Sequence, residues 1–182
     1  MAEDIKDLKT TSSLPGEYPF IRGTRTNNDW AICQEVIVDN LKDANNRANE
    51  ILGKGITSVS FILNVDKVDF NVLLNNIDIT KVQINVTSTK ENVLTVATDL
   101  VNYIKAQKAE EVFVGTIDFD PYKNALNTGA EISKDTVATA LELLKVVESV
   151  KKLRIFAVET FILNNAGAYI AQELSYALTG KR

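Results

Sequence analysis

From residue 39 onward the sequence alternates between helical and strand-like apolar patterns, and the strand-then-helix unit recurs four times at roughly 30 residues each. Ile56-Thr-Ser-Val-Ser-Phe-Ile-Leu63 reads as a buried strand, Lys81-Val-Gln-Ile-Asn-Val86 as a second with clear alternation, Glu111-Val-Phe-Val-Gly-Thr-Ile117 as a third, and Leu153-Arg-Ile-Phe-Ala-Val158 as a fourth. A helix over 39–52 precedes them, with Leu41, Ala44, Ala48, Ile51 and Leu52 on one face and Gly53 and Gly55 beyond its end. A short turn from Asp69, as N-cap, runs to Leu74. The helix over 91–105 carries Val93, Val96, Ala97, Leu100, Val101 and Ile104 as an unbroken stripe. A helix capped by Ser133 turns Val137, Ala140, Leu141, Leu144 and Val147 inward, and the last, from about Ala166 to Leu178, does so with Ile170, Ala171, Leu174 and Leu178. Strands separated by helices imply right-handed crossovers and a parallel sheet. Four such units make either half of an eight-unit barrel or a small open sheet of flavodoxin type, and both carry functional loops at the strands' C-terminal ends.

Residues 1–38 do not share this pattern. Pro15-Gly16 and Pro19 punctuate an extended arm, because proline fixes φ and glycine admits φ > 0. The expected organisation is therefore an arm over 1–38 and four βα units over 39–182.

Composition narrows the chemistry. The 182 residues suffice for one domain with a real core. The net charge of −4 and the lack of a Lys/Arg-rich run give no reason to expect a nucleic-acid partner. No apolar run approaches the roughly 18 residues of a membrane helix, and no signal peptide is evident. One cysteine, Cys33, permits no intramolecular disulfide and suits a reducing cytoplasm. Histidine is absent, which removes the commonest general acid/base, Ser-His and Cys-His dyads, and the commonest metal ligand.

The strand ends supply the remaining candidates. Asn64 and Asp66, Thr87 and Ser88, Asp118 and Asp120, and Glu159 and Thr160 all fall on the functional rim. Asp118, Asp120 and Glu159 are either a hard-cation site, magnesium by type, or solvated loop carboxylates and caps. No glycine loop follows the first strand, so nothing there lets a backbone approach a pyrophosphate. Cys33 has no histidine to activate it and reads as a small apolar residue. Lys54 and Lys90 read as surface lysines. Arg22, beside Phe20 and Ile21, is placed to pair with a carboxylate, either structurally or on a ligand or partner.

Leu14-Pro-Gly-Glu-Tyr-Pro-Phe-Ile-Arg-Gly23 followed by Trp30-Ala-Ile-Cys-Gln34 resembles the segment that enters the barrel of methylmalonyl-CoA mutases, where the pattern is Pro-Phe-x-Arg-Gly and then Trp-x-Ile-x-Gln. Gly115-Thr-Ile117, Asn165-Ala-Gly167 and Leu174-Ser-Tyr-Ala-Leu-Thr-Gly180 extend the likeness along nearly the whole chain. Within the family the arm is most similar to that of the small, non-catalytic subunits of heterodimeric bacterial enzymes. The resemblance implies a piece of a longer subunit, comprising the arm and the first half of a TIM-type barrel. It implies a catalytic large subunit as partner, with adenosylcobalamin in the whole enzyme but none bound by this chain, whose composition lacks the cobalt-ligating histidine. It also implies that chemistry is lost. The stretch that carries a substrate-pressing aromatic in catalytic subunits is here Thr24-Arg-Thr-Asn-Asn-Asp29, the substrate-gripping arginine matches Thr128, and a Tyr-His pair matches Phe161-Ile162. A hydroxyl in place of a guanidinium gives up both charge and bidentate geometry. A half-barrel leaves its first and last strands open, so two copies pairing edge to edge, or the arm folding back, is the expected remedy.

Overall fold

A computed structural model describes residues 13–129, 131 and 134–180. The chain divides into two compact units, one ending at Ala31 and the other beginning at Ile32. In the first, Ser13–Ala31 is a succession of turns without helix or strand. It doubles back on itself where the N–H of Gly16 donates to the carbonyl of Gly23 at 2.9 Å. Gly16 has φ +82, and a Cβ there would stand 2.6 Å from Cγ2 of Thr26, so both conformation and space demand glycine.

The second unit is a five-stranded parallel sheet with the strands side by side in chain order: β1 (Cys33–Val38), β2 (Ser58–Leu63), β3 (Gln83–Ser88), β4 (Gly115–Asp118) and β5 (Leu153–Arg154). The last four lie within or beside the runs expected from sequence. The first does not, since Cys33–Val38 lies in the stretch whose sequence reads as arm. Only Val36 and Val38 of this edge strand are buried, and Gln34 and Glu35 interrupt the apolar alternation, so its strand pattern is half hidden. Three hydrogen bonds pin its start: Thr57 Oγ1 accepts from Ile32 N, and the N–H groups of Thr57 and Ser58 donate to Ile32 O.

Helix α1 (Leu41–Leu52) begins where the Asn40 side chain accepts from the N–H groups of Lys42 and Asp43, and it buries Ala44, Asn45, Ala48 and Ile51. Helix α2 (Phe70–Leu73) starts at Asp69 as expected, whose carboxylate accepts from Asn71 N. Helix α3 (Val93–Ala106) buries Val96, Ala97, Leu100, Val101 and Ile104, the stripe read from the sequence. Helix α4 (Lys123–Thr128) is followed by α5 (Lys134–Val147), whose expected cap Ser133 lies outside the described residues. The final helix is two: α6 (Phe161–Asn165) and α7 (Ile170–Gly180).

Of the face expected for α5 only Val147 is buried, and α7 turns a face other than that expected. In α5 the buried residues are Leu143 and Val147, while Val137, Leu141 and Leu144 are exposed. In α7, Ile170, Leu174 and Leu178 are exposed, and Glu173, Tyr176 and Ala177 are half-buried. Helix α5 has apolar residues on two sides, so periodicity alone does not decide which one packs.

The core lies on one side of the sheet. Val36, Val38, Val59, Phe61, Leu63, Ile84, Val86 and Ile117, all of one parity, are buried beneath the helices. Gly115 lets β4 approach β3, since a Cβ there would lie 2.0 Å from the carbonyl oxygen of Ile84. No helix among the described residues is long and apolar enough to cross a membrane.

Candidate functional site: the polar sheet face and its rim

The other parity of the same strands carries Cys33, Glu35, Ile37, Ser58, Ser60, Ile62, Gln83, Asn85, Thr87, Thr116, Asp118 and Arg154. Parallel strands covered on both faces read as continuous apolar runs. This face is polar instead. Register aligns Glu35, Ser60, Asn85, Thr116 and Arg154 in one row across all five strands. Asn85 is its hub. Its Nδ2 donates to Ser58 Oγ at 3.0 Å and approaches Cys33 Sγ at 3.8 Å. Its Oδ1 accepts from Thr116 Oγ1 at 3.0 Å and Gln83 Nε2 at 3.2 Å. Ser58 is 1% exposed, and the Asn85 amide is what satisfies its hydroxyl. A lattice of hydroxyls and amides with few charges can bind a neutral, hydrogen-bonding ligand or be covered by a polar partner surface. It offers no nucleophile–base pair. Sequence reasoning passed over this network; its signal was serine, glutamine, asparagine and threonine at alternate positions of strands that should be uniformly apolar.

At the C-terminal rim the three candidate carboxylates have separate duties. Asp118 closes β4 and accepts from Thr87 Oγ1 at 2.7 Å. Asp120 accepts from Tyr122 N through Oδ1 and from Glu159 N through Oδ2, both at 2.9 Å. Glu159 pairs with Lys123 Nζ at 2.6 Å, its side chain 18% exposed. Among the described residues no group of three His, Cys, Asp or Glu is arranged to hold a metal ion, so the geometry does not support the cation reading of Asp118, Asp120 and Glu159. Tyr122 and Tyr176 meet edge to face at 6.3 Å beside them. Burial, then the charge of Asp120 and the neighbouring Tyr122 and Glu159, push the Tyr176 phenol above its ordinary value. Its oxygen is sealed from solvent with no partner among the described residues.

The other rim residues also tie loops together. Asn64 Nδ2 donates to Asp39 Oδ1 at 2.8 Å, and Thr89 Oγ1 donates to the carbonyl of Leu63 and lies 3.1 Å from Asn64 Oδ1. Asn92 Nδ2 holds the carbonyl of Asp66 at 2.9 Å.

Arg22 belongs to the turn-rich unit. It is exposed, and its Nη1 donates to the carbonyl of Ser13 at 3.2 Å, with no carboxylate partner among the described residues. With Pro15, Thr24, Arg25, Asn28 and Trp30 it lines an open hollow of about 550 Å³. Of the other positions singled out by resemblance, Thr128 ends α4 and Phe161 opens α6 with its ring exposed.

Comparison with known proteins shows the family of the chain. The family model described as methylmalonyl-CoA mutase matches residues 1–67 and 63–181. A methylmalonyl-CoA mutase small subunit from Porphyromonas gingivalis (strain ATCC BAA-308 / W83) is 38% identical over 187 aligned positions, which cover 97% of this chain and 29% of the relative. The chain thus spans less than a third of the length of the relative that it matches. Arm motif, strand order and near-complete family match agree: the chain belongs to the methylmalonyl-CoA mutase family.

Proposed function

We propose that this chain serves as a structural and assembly element of an adenosylcobalamin-dependent methylmalonyl-CoA mutase, joined to a catalytic large subunit and performing no catalysis itself. The reaction of the whole enzyme would be the interconversion of methylmalonyl-CoA and succinyl-CoA in the cytoplasm. The observation that carries the reading is that, among the described residues, β1 and β5 end the sheet with no further strand beside them. Unpaired N–H and C=O groups on parallel edges call for a neighbouring surface. The relative's description as a small subunit supports a larger partner.

Adenosylcobalamin supplies radical chemistry when bound. The donor set of this chain does not fit it: the sequence has no histidine to offer cobalt, and both oxygens of Asp120 already accept backbone N–H groups. In this reading the cofactor is held by residues outside this chain. Arg22, Asp118, Asp120 and Glu159 serve packing and subunit contact rather than chemistry.

The alternative is a free-standing, flavodoxin-like module that binds a small molecule or a metal. A doubly wound sheet reverses its strand order and binds its ligand at the reversal. The order β1-β2-β3-β4-β5 has no reversal, which favours consecutive barrel strands. Co-expression with a mutase large subunit tests the proposal. Co-purification of the two chains, with no turnover of methylmalonyl-CoA by this chain alone, is the expected result. Turnover by the isolated chain, or failure to bind the large subunit, overturns it.

A further inference from the structure

We propose that helix α5 is a self-complementary docking surface whose occupant is a second copy of this chain in antiparallel orientation. The inference does not rest on the small-subunit role. Helix α5 packs into its own core through Leu143, fully buried, and Val147. On its outer side Lys134, Val137, Leu141, Leu144 and Glu148 follow one another at spacings of three, four, three and four residues. That is the heptad spacing found along the seam of two packed helices, where an apolar stripe is covered by a like stripe. All five residues are exposed, with Leu141 at 55% and Val137 at 54%. Ala138 and Ala140 beside the seam carry nothing larger than a methyl group, so a second helix can come close.

The charges at the ends choose the partner and its direction. The ends of the stripe are symmetric about Leu141, with Lys134 seven positions before it and Glu148 seven after, and Val137 and Leu144 stand four before and three after. An antiparallel copy sets Leu141 against its own counterpart on the twofold axis, Val137 near the second copy's Leu144, and Lys134 beside the second copy's Glu148, twice by symmetry. A parallel copy would set lysine against lysine and glutamate against glutamate. Neither Lys134 nor Glu148 has an ion-pair partner among the described residues. Exposed pairs of this kind add little affinity, and their part here is to set register and direction while the apolar residues supply the attraction.

The mass of the full chain in solution, by sedimentation equilibrium, tests this directly. Twice the 20.1 kDa of one chain is expected. Leu141→Glu should give a monomer with unchanged far-ultraviolet circular dichroism. Lys134→Glu and Glu148→Lys should each weaken the dimer, and the two together should restore it. Because a variant can fail to fold, Leu141→Cys in a Cys33→Ser background gives an independent reading: mild oxidation should link two copies through residue 141. A monomeric wild-type chain, a dimer that survives Leu141→Glu through its sheet edges, a charge swap that fails to restore, or no cross-link each overturns the proposal.

Discussion

The carboxylate of Asp120 accepts the backbone N–H of Glu159 at 2.9 Å, joining the segment after β4 to the segment after β5. Its other oxygen holds Tyr122 N, so one side chain orders two loops of the rim. Asp120→Ala should cost about 2–4 kcal/mol of stability, the worth of two lost bonds to a partly solvated charged acceptor. Asp120→Asn, which keeps one acceptor, should cost less. Denaturant titration of the three proteins checks the order.

A comparable loss is expected on the far side of the sheet. Asn45, 7% exposed, donates from Nδ2 to the carbonyls of Leu73 and Asn75, both at 2.8 Å. It ties α1 to the turn after α2. Asn45→Ala leaves those carbonyls without a donor and should destabilise by about 1–3 kcal/mol. Asn45→Asp, which turns an acceptor toward two carbonyls, should be worse. The midpoint of urea unfolding is the readout.

Gly115→Ala should be the most damaging small substitution. The added methyl would lie 2.0 Å from the Ile84 carbonyl oxygen, an atom of the neighbouring strand's backbone that cannot swing aside. About 3 kcal/mol or more is expected, with loss of the β3–β4 pairing. Hydrogen-exchange protection of the β3 and β4 amides reports it.

The two sides of α5 should respond differently to truncation. Leu143→Ala empties a fully buried site and should cost about 2–5 kcal/mol. Leu141→Ala, at a concentration where the chain is monomeric, should stay within about 0.5 kcal/mol of wild type. Thermal unfolding separates the two.

Alkaline pH should expose the raised phenols. Burial raises Tyr103, and burial with the nearby carboxylates raises Tyr176, above the ordinary 10.0. The unfolded phenols ionise first, so their contribution is fully present below about pH 10 and is lost as pH climbs toward the folded values. Tyr103→Phe and Tyr176→Phe should each flatten that decline. Tyr176→Phe should also gain about 1 kcal/mol at neutral pH, because the hydroxyl it removes is sealed in without a partner among the described residues.

How much of this was legible in the sequence depended on where the apolar residues had competition. Helices α1 and α3 each have one apolar face, so Ala44, Ala48 and Ile51, and Val96, Leu100 and Ile104, could be placed by period alone. The Asp69 cap was readable because a short polar side chain before an apolar turn has one physical use. Helix α5 offered two faces, and the burial of Leu143 over Leu141 is decided by tertiary packing. Strand β1 was hidden because only Val36 and Val38 of its six residues are buried. The Asn85 network depends on register between strands far apart in the chain, which no local window contains. Asp118, Asp120 and Glu159 were found as residues, but their partners, a threonine hydroxyl, two backbone amides and a lysine, came only with the loops.

The strict chain order of the sheet has a consequence for how the molecule comes into being. Each strand pairs only with the strand made just before it and the one made just after. Within these five strands, a chain emerging from the ribosome can therefore add one finished strand at a time.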